Sequence, residues 1–285
     1  MSLPLLRNLP TFGAGEDPGP SFTGLLAAAG HPGDIGRPDA AGQGDLSGVT
    51  HGTTVVALRH CDGVVMAGDR RATAGTLISH RTIEKVYPAG RHAGVAIAGA
   101  AGPSMEMVRL FQLQLEHYEK VEGQPLSLDG QANQLSQMVR ANLTSALRGL
   151  LVVPLFAGWD ERRECGRLFQ YDVTGGRYEE QDYAAAGSGS LHAGTVVKLG
   201  FRPRLAPAAA VDLAISALFQ AADEDAATGG PDLVRGIFPV VVNIDADGYR
   251  RLDDPHVEER FRALLARLDA DGGEAHTDRS PGDAT

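Results

Sequence analysis

The chain is poor in several features that identify common protein classes. Only two of its 285 residues are cysteines, Cys61 and Cys165, and no metal-binding spacing links them. Two thiols in a chain of this length do not indicate a disulfide-stapled secreted scaffold, so we expect a reducing compartment. Basic residues are also in deficit, since 26 lysines and arginines against 36 acidic residues give a net charge of −10. That balance argues against binding to nucleic acid or to an acidic membrane, which requires clustered positive charge.

Long hydrophobic runs and metal or nucleotide motifs are missing as well. No segment approaches the ~20 apolar residues that a membrane helix needs. The first leucines are interrupted by Pro4, Arg7 and Pro10, so the N-terminus lacks the apolar centre of a secretory signal. No HExxH, paired CxxC or EF-hand pattern occurs, and residues 187–190 lack the remainder of a phosphate-binding loop. We therefore predict a cytoplasmic protein with no cofactor, no metal, and neither nucleic acid nor membrane as a partner.

The N-terminal segment, in contrast, is rich in glycine and proline. Residues 1–52 contain eleven glycines and six prolines and show little hydrophobic periodicity. Such a segment cannot bury enough apolar surface to offset its chain entropy, so we expect a largely disordered leader. The composition changes abruptly after Gly52. We expect one folded domain over residues 53–270 and a flexible tail over residues 271–285.

From residue 53 onward, blocks of strands alternate with pairs of helices. Apolar runs around an Asp-Gly turn predict a hairpin, and similar runs predict further strands; the expected strands are 53–60, 64–68, 75–79, 83–88, 93–98, 150–159, 167–172, 178–185 and 237–244. Helical periodicity marks residues 103–121, 134–147, 190–199, 208–222 and 255–268. Segregated blocks of this kind favour an α+β fold. Two sheets packed face to face, each covered by helices, would give a four-layer αββα sandwich.

The abrupt boundary at Gly52 places a threonine pair at the start of the first strand. Cleavage after Gly52 would make Thr53 the N-terminal residue, and a free α-amine beside a threonine hydroxyl can act as its base. Asp69 lies sixteen residues after Thr53, and Lys85 lies sixteen residues after Asp69. An ammonium such as that of Lys85 would lower the pKa of the amine and favour the deprotonated hydroxyl. Asp69 would hold Lys85 charged and in place.

Each of these features also has an ordinary interpretation. Threonine pairs are common in strands, and an Asp69–Lys85 pair at the surface would be worth at most about 1 kcal/mol. Residues 99–102 join a strand to a helix and could offer backbone N–H groups to an oxyanion, although most glycine-rich loops are only connections. The glycine before Thr53, the unusual leader and the downstream Asp69 and Lys85 together favour the chemical interpretation.

Several motifs in this order and spacing resemble those of a proteasome β subunit of the bacterial, actinobacterial type. They cover residues 53 to about 268 and comprise residues 52–58, 63–71, 84–87, 115–120, 187–190 and 225–239. The resemblance implies an N-terminal-nucleophile hydrolase with an αββα sandwich. It implies that residues 1–52 are a propeptide removed autocatalytically between Gly52 and Thr53. Thr53 would then act as the nucleophile of a threonine endopeptidase.

The resemblance also implies roles for further residues. Asp69 and Lys85 match the family's acidic and basic partners of the nucleophile. Ser188 and Asp225 match the residues that brace its amine, with Thr228 at a nearby Ser/Thr position. Gly99 would donate its N–H to the oxyanion, and an extended substrate backbone would pair with Thr73, Gly99 and Ala101. An uncharged pocket would favour hydrophobic residues before the cut; its lining would be Ala72, Ile83, Ile97, Ala101 and Met105.

The partners implied by the resemblance are those of a barrel-shaped particle. Copies of this chain would form heptameric β rings, stacked in pairs and flanked by α subunits as α7β7β7α7, and a separate ring-shaped unfolding ATPase would deliver polypeptide substrates. Two alternatives stay open. A non-catalytic structural ring subunit is disfavoured by the set Thr53, Asp69, Lys85, Ser188 and Asp225. A double-hexamer bacterial protease of the same fold, which also begins with Thr-Thr, is disfavoured by the long leader and by residues 229–232.

Overall fold

The computed structural model describes residues 52–277, with side chains through residue 270. Residues 1–51 of the expected propeptide (1–52) and residues 278–285 of the expected tail lie outside the described residues. The strands in chain order are β1 (Thr54–His60), β2 (Gly63–Gly68), β3 (Ala72–Ala74), β4 (Leu77–His80), β5 (Val86–Pro88), β6 (Ala93–Gly99), β7 (Val152–Asp160), β8 (Cys165–Tyr171), β9 (Arg177–Glu180), β10 (Tyr183–Gly187), β11 (Val240–Asp245) and β12 (Gly248–Arg251). The helices are α1 (Ala101–Glu122), α2 (Leu128–Ala141), α3 (Leu143–Ala146), α4 (Ser190–Gly200), α5 (Pro207–Glu224) and α6 (Asp254–Thr277).

Within the described range, the strands form two five-stranded antiparallel sheets and one short hairpin. Sheet I has the order β10-β1-β2-β11-β12, and sheet II has the order β5-β6-β7-β8-β9. The hairpin β3–β4 stands apart from both sheets. The expected hairpin at the start of the domain is present, since β1 and β2 pair from Val55↔Gly68 to His60↔Gly63 around Cys61 and Asp62.

Strand β1 shows why the two sheets pack face to face. Successive side chains of a strand point to opposite faces of the sheet. Val55 and Ala57 of β1 therefore enter the core between the sheets, which also contains Leu155 of β7. Val56 and Leu58 enter a second core beneath helices. Because both faces are covered, the strand has an unbroken apolar sequence rather than an alternating one.

Helices cover the outer face of each sheet. Helices α4, α5 and α6 pack on sheet I, where α5 presents apolar residues three or four positions apart, such as Ala210, Ala214 and Leu218. Helices α1 and α2 pack on sheet II, where Phe111 of α1 meets Phe156 of β7 edge-to-face at a centroid distance of 6.0 Å. The layers are thus helix, sheet, sheet, helix, and the predicted αββα sandwich is confirmed. None of the helices within residues 52–277 is both long and apolar enough to cross a membrane.

Several elements differ from those predicted. The expected strand 75–79 covers the turn and the start of the second strand of the β3–β4 hairpin, and β3 and β12 were not expected. The expected strand 178–185 is two strands, because the chain crosses from β9 in sheet II to β10 in sheet I at residues 181–182. The expected helix 134–147 starts earlier, since Ser127 caps α2 by accepting a hydrogen bond from the Gly130 N–H, and it breaks at Asn142 before α3. The backbone of the last helix continues to Thr277, beyond the apolar periodicity on which the predicted end at 268 depended.

Candidate active site

A buried carboxylate follows directly after the end of β2. Asp69 has no exposed surface. Its Oδ1 accepts hydrogen bonds from the Thr54 N–H at 2.8 Å and from Lys85 Nζ at 2.6 Å. Its Oδ2 accepts from the N–H groups of Arg71 and Gly229, each at 2.9 Å. Four donors thus compensate the buried charge. Through these hydrogen bonds, Asp69 connects the start of β1 with the segment before β5 and with the segment after α5.

Lys85 lies immediately before β5 and is 5% exposed. Besides Asp69, its Nζ donates to the backbone carbonyl of Arg71 at 2.5 Å. Burial lowers the pKa of Lys85, and the neighbouring Asp69 carboxylate opposes that shift only in part. The interpretation of this pair as an exposed surface ion pair is therefore wrong, because both side chains are buried.

Thr53 is held at the head of β1 through its backbone. It is 4% exposed, and its carbonyl accepts a hydrogen bond from the Ser188 N–H at 2.8 Å. The Ser188 hydroxyl lies 3.4 Å from the same carbonyl and donates to Asp225 Oδ2 at 2.5 Å. Gly187 has a positive φ of 103°, and a Cβ there would lie 1.8 Å from the Thr53 oxygen. The glycine of this motif is therefore required by the close approach of Thr53.

A chain of hydrogen bonds connects the second threonine to Asp225. The Gly189 N–H donates to Thr54 Oγ1 at 3.0 Å, and Thr54 Oγ1 lies 2.5 Å from Thr228 Oγ1. Thr228 Oγ1 donates to Asp225 Oδ2 at 2.6 Å, so the Thr54 hydroxyl donates to Thr228. Burial raises the pKa of Asp225, but the hydrogen bonds from Ser188 and Thr228 outweigh it and leave the pKa below its usual value. The carboxylate thus fixes two hydroxyl groups beside the Thr53 backbone.

A cleft lies beside these groups. It contains Thr53 and Lys85 together with Gly99 at the end of β6. All five residues that we predicted for an apolar side-chain pocket line it: Ala72, Ile83, Ile97, Ala101 and Met105. Gly99 has a φ of 123°, and a Cβ there would lie 2.0 Å from the Leu151 carbonyl oxygen. The structure thus brings the expected nucleophile, lysine and pocket residues to one cleft, while their functional roles stay predictions.

Thr73 and Gly52 meet at the junction with the leader. Thr73 is not among the described residues that line the cleft; its Oγ1 accepts a hydrogen bond from the Gly52 N–H at 3.2 Å. The expected pairing of the Thr73 backbone with substrate stays a prediction. Gly52 is itself buried, and a Cβ on it would lie 1.8 Å from the Cβ of Ala227.

Comparison with known proteins identifies the family to which the chain belongs. The family described as "Proteasome subunit" matches residues 49–234. The chain belongs to the proteasome subunit family. It is 60% identical over 253 residues to the proteasome subunit beta of Acidimicrobium ferrooxidans. These residues are 88% of this chain and 91% of that one.

Two further relatives of the same kind support the bacterial β type. The proteasome subunit beta of Jonesia denitrificans is 56% identical over 204 residues, which are 72% of this chain and 68% of that one. The protein of the same name from Streptomyces griseus is 55% identical over 217 residues, or 76% of this chain and 77% of that one. The predicted resemblance to bacterial proteasome β subunits is confirmed.

Sequence reasoning missed several residues of this proteasome-family site. Thr54 donates its N–H to Asp69, and its hydroxyl connects Gly189 to Thr228. The only feature of the sequence that could have indicated this role is its position directly after Thr53. Arg71 contributes its carbonyl to Lys85, which no side-chain pattern could reveal. The cleft has three further lining residues that were not predicted: Glu84, Tyr87 and Ser104.

A group of potential metal ligands lies at the other end of β1 from Thr53. Ligand atoms of His60, Cys61 and Asp62 are all within 4.8 Å of one another. Both imidazole nitrogens of His60 are already engaged, Nε2 with Asn243 Oδ1 at 2.9 Å and Nδ1 with the Asp62 N–H at 3.2 Å. We therefore assign these residues to the β1–β2 turn rather than to a metal centre of this proteasome-family chain.

Proposed function

We propose that the chain is the catalytic β subunit of a 20S proteasome core, a threonine endopeptidase with Thr53 as nucleophile. The observation that carries the proposal is the buried Asp69–Lys85 pair in contact with the cleft that contains Thr53. A buried ion pair is weak support for stability, because desolvation offsets most of its attraction. A buried lysine with a lowered pKa beside a hydroxyl in a cleft is typical of a catalytic site.

In the precursor, the first reaction is cleavage of the Gly52–Thr53 bond. Thr53 Oγ attacks the Gly52 carbonyl carbon and loses its proton, the C–N bond breaks, and the released nitrogen takes up a proton. Water then hydrolyses the resulting ester, which frees residues 1–52 with a C-terminal carboxylate and leaves Thr53 with a free α-amine. Before this step the nitrogen belongs to a peptide bond and cannot act as a base, so the neighbouring Lys85 is needed to favour the deprotonated hydroxyl.

In the mature enzyme, the α-amine of Thr53 accepts the hydroxyl proton during attack on a substrate and returns it to the leaving amine. An ester of Thr53 forms and is hydrolysed by water. The N–H of Gly99 stabilises the oxyanion, and the backbones of Thr73, Gly99 and Ala101 bind the extended substrate. Ser188, Asp225 and Thr228 hold the nucleophile's backbone and amine. The apolar wall of the cleft selects hydrophobic residues before the cut.

We further propose that the chain assembles into paired heptameric β rings between rings of α subunits in the cytoplasm, and that a separate ATPase ring supplies unfolded substrates. The residues that would stabilise the nucleophile, Asp69 and Asp225, are both present and hydrogen-bonded, which disfavours a purely structural ring subunit. Particle images distinguish the remaining alternative, because a double-hexamer protease would show sixfold rings.

The test is the intact mass and N-terminal residue of the full chain after co-expression with an α subunit. We expect a mature chain that begins at Thr53, and an uncut chain in the Thr53→Ala variant. Lys85→Ala is expected to lose both leader removal and peptide hydrolysis while the rings still assemble. Lys120→Ala is the matched control, because Lys120 forms an exposed pair with Glu116 one helical turn away.

Two outcomes would contradict the proposal. Leader removal and peptide hydrolysis that persist in Thr53→Ala particles would exclude Thr53 as the nucleophile. A wild-type chain that keeps residues 1–52 within a complete, stable particle would support the structural-subunit alternative.

A further inference from the structure

Hydrogen bonds hold the chain on both sides of the proposed cleavage bond. On the N-terminal side, the Gly52 N–H donates to the side-chain oxygen of Thr73 at 3.2 Å. On the C-terminal side, the Thr53 carbonyl accepts from the Ser188 N–H at 2.8 Å. Gly52 is buried and Thr73 is 5% exposed, so water competes little for the first of these hydrogen bonds. The Gly52–Thr53 bond therefore lies between two anchored backbone groups.

The anchor on Gly52 restrains the residue that the nucleophile would attack. Glycine has the freest backbone of all residues, so its carbonyl can face many directions unless a contact fixes it. The carbonyl carbon of Gly52 is separated from the bound nitrogen only by the α-carbon. A hydrogen bond to that nitrogen therefore limits the direction in which the carbonyl faces. Because a misplacement of about 1 Å between reacting groups can cost about a hundredfold in rate, loss of the anchor should slow the self-cleavage.

The segment that carries Thr73 is shaped to present its hydroxyl. The pairing of β3 with β4 shifts register between Ala72 and Thr73, and irregularities of this kind redirect side chains beside active sites. The Ala72 carbonyl at this irregularity accepts from the Ser79 hydroxyl at 3.1 Å. The carbonyl of Arg71, just before β3, accepts from Lys85 Nζ at 2.5 Å. One short segment thus positions both the leader residue and the lysine.

We propose that the Thr73 side chain is a positioning residue for leader removal, because its oxygen holds the Gly52 N–H and thereby directs the Gly52 carbonyl toward the Thr53 hydroxyl. The inference rests on the proposed self-cleavage and adds a role to Thr73, whose backbone is proposed to bind substrate. Thr73 exchanges no proton in the reaction. The role belongs to the precursor, since the Gly52 N–H departs with residues 1–52.

The expected effect is that of one buried hydrogen bond, or roughly tenfold in a rate constant. Thr73→Val keeps the branched shape and the strand preference of threonine but removes the acceptor, so leader removal should slow by about tenfold or more. Thr73→Ser keeps a hydroxyl and should stay within about threefold of the wild type. A merely structural role, such as packing of the methyl group, predicts the opposite order, because valine keeps that methyl group and serine lacks it.

The experiment follows the intact mass of the full chain over time during assembly with an α subunit. Only chains within assembled particles are counted, so incomplete folding of a variant does not imitate slow cleavage. Thr73→Ala repeats the test with a second side chain that lacks the acceptor. Thr195→Val is the matched control, because it removes a hydroxyl that donates to the Leu191 carbonyl at 2.8 Å on helix α4. The control should lose its leader at the wild-type rate.

The outcomes separate the two levels of the proposal. Leader removal at the wild-type rate in Thr73→Val, or slow cleavage in Thr73→Ser, would overturn the role of the hydroxyl and leave the proposed peptidase function intact. Wild-type particles that keep residues 1–52 would overturn the proposed function itself.

Discussion

Replacement of Gly52 by alanine tests the geometry of the proposed self-cleavage most directly. The Gly52 N–H is bound by Thr73 Oγ1, and an added Cβ would lie 1.8 Å from the Cβ of Ala227 and 2.8 Å from its Cα. Carbon atoms that are not bonded approach to about 3.5–4.0 Å, so one side must move by about 2 Å. Ala227 resists, because its N–H donates to Asp225 Oδ1 at 3.1 Å in the same turn that positions Thr228.

The size of the effect follows from that displacement. A misplacement of about 1 Å between reacting groups can reduce a rate by about a hundredfold. We therefore expect Gly52→Ala to slow leader removal by at least about a hundredfold. The assay is a time course of intact mass during co-expression with an α subunit. Gly194→Ala is the control, because its Cβ would meet only the Ala185 Cβ, at 3.9 Å, and it lies within helix α4.

A second substitution separates this clash from general misfolding. The Ala227→Gly variant alone should remove its leader at the normal rate. In the Gly52→Ala background, Ala227→Gly removes the contact with the Ala227 Cβ at 1.8 Å but leaves the contact with the residue 227 Cα at 2.8 Å. The double variant should therefore recover part of the rate. Leader removal in Gly52→Ala within about threefold of the wild type, against the expected hundredfold loss, would refute the placement of Gly52 against Ala227.

Three further predictions test the supporting structure. Thr54→Val removes the hydroxyl that accepts from the Gly189 N–H, so we expect a loss of about 1–3 kcal/mol in unfolding free energy and slower peptide hydrolysis. Arg167→Ala should lower the unfolding free energy by about 3–5 kcal/mol, because Arg167 is 3% exposed and pairs with three carboxylates. The control is Arg262→Ala, which removes an exposed helical pair and should lower the unfolding free energy by less than about 0.5 kcal/mol in the same melting experiment. Hydrogen bonds hold the pKa of Asp225 below its usual value despite burial. The ionised carboxylate therefore stabilises the fold above the unfolded pKa of about 3.9, and this stabilisation is lost as pH falls through the folded pKa. The difference in melting temperature between wild type and Asp225→Asn should accordingly shrink below pH ~4.

Much of the fold follows from local patterns in the sequence. The apolar runs on either side of Cys61 and Asp62 gave the β1–β2 hairpin, because a period of two and a tight turn leave little choice of pairing. The order of strand and helix blocks gave the layers, since apolar faces of both kinds must be covered. What local patterns could not give was the crossing at residues 181–182, where a continuous strand-like segment divides between two sheets.

The site was predictable only in part for a similar reason. The spacing of Asp69 and Lys85 suggested a pair, and the structure shows that pair with Nζ 2.6 Å from Oδ1. The contribution of Arg71 comes from its carbonyl, and backbone groups have no sequence signature. The hydroxyl of Thr54 acquires its partners only where β1 meets the turn after α5, so its role depends on tertiary contacts.

These long-range contacts also connect the proposed self-cleavage to folding. Thr54 and Thr228 are 174 residues apart, and Asp69 and Gly229 are 160 residues apart. Loops of such length close only when burial of the surrounding core offsets their entropy. A chain that has not packed sheet I under α5 therefore lacks both the turn that contacts Gly52 and the hydrogen bonds around Asp69. Because the base and the scissile bond of the proposed self-cleavage are positioned by the same core, we expect Thr53 to be released only in a molecule that has already folded around it.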